Sequence, residues 1–446
     1  MNKLKSKKGI TLVALVVTTV VLLILAGASI NLVLGDNGII DKAKEAQRKS
    51  AEATQNDLIG MNELAQQLGE KINGSAGSGS GNGGAGGSGA GTKVPAEATA
   101  ETAPYFPDNT FTKKEGTIDT GLVIKDASGN EYVWVVVPRT TAVYKTTGLG
   151  KTTFTDADYT SIENDLKEYT KTYRGSISYS DVYYPDDKNV GWFADATAYN
   201  NLKNSMLKSV YENGGFYVGR YEAGIDTTAG TNRTSNTDKN SNGKYTMPST
   251  TPVSRADAYP YTWVTRTQAQ NLASNVNSGT KTSSLMFGVQ WDLVLAFMHN
   301  KGNIADSTLT SNSTAIGNYR DSVFQLSQTG QYAVFSNFSL SSTWNPSTTA
   351  TTNFVDSSRN KIAQSSNGNG ILVTTGTSET NKVMNIYDIA GNVYEWTLEL
   401  TSSTGLPCAS RGGGFISSGS DSPAADRCSF GTVSSNSGFG FRVSLF

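Results

Sequence analysis

The chain has 446 residues, more than one domain usually contains, and its 37 basic and 38 acidic residues give a net charge near −1. A nucleic-acid partner would need a clustered basic face, which this sequence lacks, so none is expected. Only 17% of the residues are charged, and Ser, Thr, Asn and Gly are abundant. Such a surface binds through hydrogen bonds and stacking rather than through net charge.

The first predicted element is an apolar segment at residues 10–34, which has no charged residue over 25 positions. A helix of this length crosses a hydrocarbon layer of about 30 Å. Four lysines precede it, so the positive-inside bias keeps the N-terminus cytoplasmic and sends the rest of the chain across the membrane. The segment therefore predicts a membrane span. A secretory signal cleaved near residues 26–29 and a plain membrane anchor are the alternatives.

A glycine separates the basic residues from the apolar run, and the sequence from this residue reads GITLVALVV. The pattern resembles the prepilin-type N-terminus of Gram-positive type IV pilins. The resemblance implies that residues 1–9 are a leader, which a prepilin peptidase removes between Gly9 and Ile10. It also implies a stay in the cytoplasmic membrane before assembly with other pilin subunits into a filament on the bacterial cell surface. Many pilins carry Glu at the fifth mature position, where this chain has Ala14.

Residues 39–72 continue as a predicted amphipathic helix after a helix-breaking cluster at 35–38. The apolar stripe would pack either on its own domain or against neighbouring subunits. Together, residues 10–72 form the predicted helical stem. Residues 73–104 are rich in Gly, Ser and Ala and then in Pro and Glu, which is typical of a linker that separates a stem from a displayed module.

The predicted head spans residues 105–446. Runs at 117–124 and 131–137 read as strands joined by a hairpin turn at 126–130. Residues 146–205 are polar and Tyr-rich, and are interpreted as an insertion with short helices. Helices are predicted at 265–276, opened by a Thr cap, and at 284–299. The predicted fold class is therefore α+β, with a long N-terminal helical stem, a linker and a mixed head.

Three patterns in the head resemble one family. Residues 385–396 read NIYDIAGNVYEW, the triplet Arg-Gly-Gly follows at 411–413, and the chain closes with Gly-Phe-Arg-Val at 440–443. They resemble the C-type-lectin-like fold of the formylglycine-generating enzymes and their sulfatase-modifying-factor relatives. The strand-like runs at 134–138 and 216–222 fit the same resemblance, which covers roughly residues 117–446.

In the formylglycine-generating enzymes, a cysteine pair shortly after Arg-Gly-Gly binds copper and does the chemistry. The corresponding residues here are Ser417 and Ser422, and a hydroxyl cannot replace a soft thiolate ligand of Cu(I). The related iron-dependent sulfoxide synthases need several histidines, but His299, at a predicted helix end, is the only one in the sequence. We therefore expect no catalytic residue and neither copper nor iron. A membrane-anchored oxidase of the formylglycine-generating type is the alternative.

In this fold, the loop after Arg-Gly-Gly and the last strands form the exposed ligand face, here residues 411–440. Small polar residues with occasional aromatics, as in this segment, resemble the adaptable part of an antibody paratope. The segment also resembles the variable proteins of diversity-generating retroelements. The predicted ligand-binding residues are Phe415, Ser417, Ser418, Ser420, Asp421, Ser422, Phe430, Thr432, Ser434 and Asn436. The expected ligand is an external protein, glycan, cell or phage surface, and the alternative is a structural pilin or pseudopilin without a ligand.

Family members hold a structural calcium ion close to the Gly-Asn-Val-x-Glu-Trp pattern. The resemblance implies that its oxygen ligands here are the side chains of Asp388 and Glu395 and the carbonyls of Gly391 and Val393. The alternative is a turn in which the two carboxylates bond to the backbone and to Arg411.

The two cysteines of this chain, Cys408 and Cys428, permit one disulfide in an exported protein. The bond would close a loop around the ligand face and contribute about 3 kcal/mol in the chain-entropy model. Two free thiols are the alternative. A segment at 238–243 looks like the start of an EF-hand loop but lacks the final Glu, and is interpreted as a turn.

Overall fold

A computed structural model describes residues 97–175, 179–185 and 189–446, except the side chains of 340–342. The predicted processing site at Gly9 and Ile10, the predicted stem at 10–72 and most of the predicted linker lie outside the described residues. Within the described part of the chain, no helix is long and apolar enough to cross a membrane.

The predicted fold class, with its long N-terminal helical stem, is wrong for the chain that the structure describes. Most of the regular structure there is β-sheet, and the α-helices contain between 5 and 18 residues. The longest, Ala196–Asn213, alternates buried residues with exposed polar ones, as a helix on the surface of a globular domain does. The predicted location, in a membrane and then in a surface filament, is contradicted because none of the described helices is able to span a membrane. It is not retained.

The strands of the described chain are β1 (Thr112–Glu115), β2 (Val123–Lys125), β3 (Glu131–Val136), β4 (Tyr179–Ser180), β5 (Gly215–Gly219), β6 (Gly224–Ile225), β7 (Tyr259–Pro260), β8 (Ser283–Leu285), β9 (Gln331–Ser336), β10 (Ser339–Pro346), β11 (Gly370–Val373), β12 (Lys382–Val383), β13 (Ile386–Tyr387), β14 (Tyr394–Thr401), β15 (Cys408–Arg411), β16 (Arg427–Phe430), β17 (Phe439–Gly440) and β18 (Val443–Leu445). The helices are α1 (Asp156–Tyr169), α2 (Ala196–Asn213), α3 (Arg266–Ser274), α4 (Gly288–Asn300) and α5 (Asp306–Thr310).

The largest sheet has the order β1-β2-β3-β5-β18-β8 and buries the last residues of the chain between β5 and β8. The predicted hairpin is confirmed, since β2 and β3 pair antiparallel around a turn in which Asp126 accepts a hydrogen bond from the Asn130 amide. Trp134 and Tyr217 pack edge to face across β3 and β5 at the centre of the core.

A second sheet, of order β16-β15-β14-β17, carries the C-terminal loops. Helix α4 is buried along nearly its whole length and lies against this sheet and the first one. The helix begins at Gly288, four residues later than predicted, because residues 283–285 form β8 and pair with β18. Its first amides are capped from far along the chain, since Asp181 accepts hydrogen bonds from the Gly288 and Val289 amides at 2.7 and 3.1 Å.

The sequence predicted some of the remaining elements and missed others. The predicted insertion at 146–205 contains α1 and the first half of α2. A further sheet, of order β10-β9-β11, was not predicted and has a small apolar core of its own. The predicted helix at 265–276 is confirmed as α3, whose Thr265 and Gln268 form a capping box.

Candidate functional site

The two serines at the positions of the family's cysteine pair both lie within hydrogen-bond distance of the same hydroxyl group. The hydroxyl of Tyr394, the first residue of β14, lies 2.7 Å from Ser417 Oγ and 2.9 Å from Ser422 Oγ. The same tyrosine ring contacts Phe430 and Phe439, with centroids 6.3 and 6.0 Å away. Tyr394 therefore links the loop after Arg-Gly-Gly to the last loop of the chain. Sequence reasoning placed it in a family motif but did not assign it to the site.

The Arg-Gly-Gly triplet sets the direction of the first loop. Gly412 and Gly413 have φ of 84° and 77°, which is the left-handed region that favours glycine. A Cβ on Gly413 would lie 2.3 Å from the Ser422 carbonyl oxygen, so no other residue fits without movement of the loop. The close approach brings the two ends of the segment 413–422 together.

The segment 313–322 supports this loop from below. The Arg320 amide donates to the Ser417 carbonyl at 2.9 Å, and the Gly419 amide donates to Asp321 Oδ1 at 3.1 Å. Lys361 in turn fixes the supporting segment, because its Nζ donates to the carbonyls of Tyr319 and Ser322 at 2.6 and 2.8 Å. Hydrogen bonds thus fix the backbone of the loop, while some of its side chains are exposed to solvent.

The predicted ligand-binding residues divide into three groups by exposure. Phe415, Ser418 and Ser422 are buried, with Phe415 only 1% exposed and packed on Phe335 at a centroid distance of 4.4 Å. The half-buried ones are Ser417, Phe430, Thr432 and Ser434. The exposed ones are Ser420, Asp421 and Asn436. Phe415 is therefore part of the support beneath the loop and does not face a ligand in this arrangement.

Three other segments of the chain frame the last loop, 430–436. Asn189 donates to the Thr432 carbonyl at 2.9 Å, Asn236 Nδ2 donates to Ser435 Oγ at 3.2 Å, and the Trp263 amide donates to the Asn436 carbonyl at 3.0 Å. Val433 at the tip is 60% exposed. Sequence reasoning missed these neighbours, because no local pattern links positions about 170 to 240 residues apart.

Beneath β15 and β16 lies a group of five charged residues, four of them buried and Arg174 partly exposed, here called the arginine cluster: Arg174, Arg411, Arg427, Asp292 and Glu399. Each of the three guanidinium groups donates to Asp292, at 3.2, 2.9 and 2.7 Å. Arg411 and Arg427 also pair with Glu399, at 3.3 and 2.9 Å. Burial alone would raise the pKa of Glu399, but the charges of Arg427 and Arg411 outweigh it and lower that pKa. The cluster ties the two strands that flank the first loop to α4 and β14.

A second group, here called the carboxylate cluster, contains Glu222, Asp388, Glu395 and Arg442. Arg442 donates to both oxygens of Glu395, at 2.7 to 3.1 Å. Burial and the neighbouring carboxylates Asp388 and Glu395 raise the pKa of Glu222 well above its usual value. Burial also raises the pKa of Asp388, to about 6. Three carboxylates thus share one guanidinium.

The predicted calcium ligands do not fit a calcium ion in this arrangement. Both carboxylate oxygens of Glu395 bond to Arg442, and Asp388 Oδ2 accepts from the Gly376 amide at 2.9 Å. A cation at these oxygens would lie beside the guanidinium charge. Gly391 and Val393 are buried in the same turn, and Val393 donates its amide to Glu222 Oε1 at 3.2 Å. The alternative turn is closer to what is observed, with Arg442 in the place proposed for Arg411.

No disulfide joins Cys408 and Cys428. The two residues lie on adjacent antiparallel strands, but the register pairs Cys408 with Phe430 and Cys428 with Ser410. Such diagonal neighbours are about 7–8 Å apart, too far for a bond that needs Cβ atoms about 4 Å apart. Cys428 Sγ instead donates to Asp426 Oδ2 at 3.2 Å. The arrangement in this structure is therefore the alternative one, in which the two cysteines are not joined to each other.

His299 lies near the end of α4, where its Nδ1 is 2.8 Å from the Ile304 carbonyl and 3.2 Å from Asp306 Oδ1. It is remote in sequence and in contacts from Ser417 and Ser422. In the described chain, no three His, Cys, Asp or Glu side chains are arranged to hold a metal ion.

Residues 315–445 match the family model of the sulfatase-modifying factor enzyme 1-like domain. The crystal structure of CarF is similar to this chain at 13% identity and a TM-score of 0.24, covering 70% of this chain and 85% of that one. Variable protein 1 of Treponema denticola is similar at 11% identity and a TM-score of 0.23, covering 52% of this chain and 95% of that one. No curated protein matches the sequence.

The family match confirms the predicted sulfatase-modifying-factor domain, with its C-type-lectin-like fold, in the C-terminal part of the chain. It is this match, rather than the two structural likenesses, that carries the assignment. A domain of this kind fits a ligand-binding module. The comparisons give no support to the predicted prepilin N-terminus or to a pilin role.

Proposed function

We propose that the head is a non-catalytic module that binds an external ligand through the surface around Tyr394. Its exposed part consists of Ser420, Asp421, Val433 and Asn436. The observation that carries the proposal is the contrast between a fixed backbone and solvent-exposed side chains. The loops are bonded to several distant segments, whereas these four side chains point away from the core. Sites of this kind are pre-organised, so binding loses little conformational entropy.

The absence of catalysis rests on the chemistry of the residues that meet at Tyr394. Ser417 and Ser422 provide hydroxyls, which are poor ligands for the soft copper ion that the related enzymes use. The nearest thiol belongs to Cys428. Its burial and the neighbouring Asp426 raise the pKa to about 12, so it remains a protonated thiol at neutral pH.

A binding test compares two triple variants of the full chain on a glycan array and on immobilised bacterial cell-surface fragments. Replacement of Ser420, Asp421 and Asn436 by Trp is expected to abolish any binding that the wild type shows. The matched control replaces three exposed polar residues elsewhere, Ser128, Thr197 and Asn242. Equal binding by both triple variants would move the site to another surface.

The enzyme alternative is tested with copper and a cysteine-containing peptide. The wild type is expected to produce no aldehyde, and turnover that disappears on Cys428→Ser would contradict the proposal. The double variant Ser417→Cys/Ser422→Cys supplies the sharper comparison. Because both Oγ atoms reach the same Tyr394 hydroxyl, two thiolates placed there lie close enough to share one Cu(I) ion, and copper affinity is expected to appear.

We also propose that the exposed positions of this surface are subject to diversification by a retroelement. The proposal is supported by the sequence resemblance and by the exposure of these side chains to solvent. Sequencing of the coding region in a bacterial population is expected to show substitutions concentrated at residues 416–436 that are exposed or half-buried. Arg427, which lies inside this interval but is buried in the arginine cluster, is expected to stay constant. An even distribution of substitutions would contradict diversification without bearing on ligand binding.

A further inference from the structure

A second candidate binding site lies away from the loops around Tyr394. An open cavity of about 530 Å³ runs between α2 and α3 and ends at the segment leading into β8. This volume lies within the range of small-molecule sites. Its lining residues are Gly191, Phe193, Ala198, Asn201, Leu202, Ser205, Gln270, Asn271, Ser274, Ser278, Lys281, Thr282 and Ser283.

The lining combines a small apolar patch with many neutral hydrogen-bonding groups. Phe193, Ala198 and Leu202 form the apolar part. The hydroxyls and amides come from α2, α3 and the turn before β8, and include the exposed side chains of Asn201 and Ser205. A ring or aliphatic face beside several uncharged donors and acceptors is complementary to a saccharide, which has apolar C–H faces and a rim of hydroxyls.

Lys281 is the one charged residue among those that line the cavity. It is half-buried, and its Nζ lies 4.2 Å from the centre of the Tyr105 ring. No described carboxylate pairs with it, and burial lowers its pKa, an effect that the charge of Glu212 offsets only in part. The contact with the Tyr105 ring stabilises the ammonium in part, but no carboxylate in the lining of the cavity neutralises its charge. An anionic group on a ligand would supply the missing charge.

We propose that this cavity binds an acidic saccharide, whose carboxylate pairs with Lys281 and whose hydroxyls bond to the amides and hydroxyls of α2 and α3. A neutral sugar lacks the group that Lys281 would pair with. A multiply charged anion such as a nucleotide would meet only one cationic side chain in the lining. The proposal goes beyond the binding surface around Tyr394, because none of the residues of that surface lines the cavity.

The test measures binding of glucuronate and N-acetylneuraminate to the full chain by calorimetry and saturation-transfer NMR, with glucose as the neutral probe. At least one of the acids is expected to bind the wild type and to bind Lys281→Met at least tenfold more weakly, whereas Lys281→Arg retains most of the affinity. Ser205→Trp is expected to block the cavity sterically. Lys145→Met, which removes an exposed lysine that does not line the cavity, is the matched control.

The stability of Lys281→Met separates a ligand-binding role from a structural one. If Lys281 serves a ligand, removal of its partly buried charge leaves the unfolding midpoint equal or higher. The proposal is overturned if neither acid binds at millimolar concentration, if Lys281→Met binds as well as the wild type, or if glucose binds equally well. The triple Trp variant of the Tyr394 surface is expected to bind the acid normally, so failure of one site is distinguishable from failure of the other.

Discussion

The arginine cluster and the carboxylate cluster are both anchored on β14, yet they bury charge in opposite ways. At Glu399, near the end of the strand, two carboxylates meet three guanidinium groups in direct ion pairs. At Glu395, near its start, three carboxylates share Arg442. In the first cluster each charge is paired with an opposite charge. In the second cluster carboxylates outnumber guanidinium groups, and the pKa values of the acids are raised, which favours their neutral forms.

In the mildly acidic range, this difference separates a cluster whose contribution to stability is constant from one whose contribution changes with pH. The arginine cluster keeps Glu399 ionised, since its pKa is lowered. The carboxylate cluster favours bound protons, so its contribution to folding changes in the mildly acidic range. The loops after Arg-Gly-Gly depend directly on the first cluster, because Arg411 and Arg427 belong to the strands that flank them.

The largest effect is expected from Asp292→Asn in the arginine cluster. The substitution preserves size but removes the negative charge shared by three guanidinium groups, and leaves the buried Arg411 and Arg427 with Glu399 as their one carboxylate partner in the cluster. Breaking such a pair costs about 3–5 kcal/mol of unfolding free energy. Urea denaturation measures it. Asp421→Asn, which removes a surface pair with Arg320, is the matched control and is expected to cost less than about 1 kcal/mol. Similar losses of unfolding free energy for both variants would mean that the arginine cluster does not hold β15 and β16 in place.

A smaller effect, of opposite sign, is expected in the carboxylate cluster. The pKa of Asp388 is raised, so its contribution to stability is fully present below the unfolded pKa near 4 and is lost as pH rises through about 6. At pH 8 this loss amounts to at most about 3 kcal/mol. Asp388→Asn removes it. Asn381 Nδ2 donates to Asp388 Oδ1 at 3.4 Å in the wild type, and after a flip of the Asn381 amide the new side-chain amide at position 388 donates to Asn381 Oδ1, a buried acceptor without a partner in the structure. Asn also tolerates the φ of 54° at this position.

Thermal unfolding at pH 4.5 and pH 8 tests this sign. The variant is expected to be more stable than the wild type at pH 8 and nearly equal to it at pH 4.5. Addition of calcium or EDTA at pH 8 tests the predicted ion in the same samples. A calcium-dependent rise of the midpoint in the wild type, lost in Asp388→Asn, would show that a cation and not a proton neutralises the cluster.

Lys361 extends the comparison to a buried charge that is held by neutral groups. Its ammonium donates to the carbonyls of Tyr319, Arg320 and Ser322 at 2.6, 3.1 and 2.8 Å. Lys361→Met removes these three hydrogen bonds. The carbonyls of Tyr319 and Arg320 still accept from Ser322 and Gln364, so the Ser322 carbonyl loses most, and the expected cost is about 1–3 kcal/mol. Since this segment supports Ser417, hydrogen exchange is expected to increase in residues 317–322 and 416–421 before other parts of the chain. Uniform protection would show that the segment is held without the lysine.

Local signals in the sequence predicted several elements of the fold correctly. The strand β3 with its hairpin turn and helix α3 with its Thr265 cap are determined by residues only a few positions apart. The start of α4 was placed too early, because its cap, Asp181, is 107 residues away. The sheet β10-β9-β11 was missed for a similar reason, since its polar sequence has weak periodicity and its small core is built from segments far apart.

The sequence predicted the position of the loop after Arg-Gly-Gly better than the orientation of its side chains. Arg-Gly-Gly and its two glycines with positive φ correctly marked where the loop begins. Whether a side chain in that loop faces out was not readable from the sequence, because Phe415 sits among small polar residues and yet packs on Phe335 from β9. The convergence of Ser417 and Ser422 on Tyr394 depends on a strand and a loop that are adjacent only in the folded chain.

The smallest effect on stability is expected from a reducing agent. This experiment tests whether a covalent bond helps to hold β15 and β16 together. The arginine cluster and the strand register join the two strands without a covalent bond, and the raised pKa of Cys428 keeps its thiol from reacting. Dithiothreitol is therefore expected to leave the urea midpoint of the wild type unchanged, while Asp292→Asn lowers it in either condition. If the reductant lowered the wild-type midpoint instead, a disulfide between Cys408 and Cys428 would also hold the two strands together. The loss of unfolding free energy caused by Asp292→Asn would then be larger in the reduced protein.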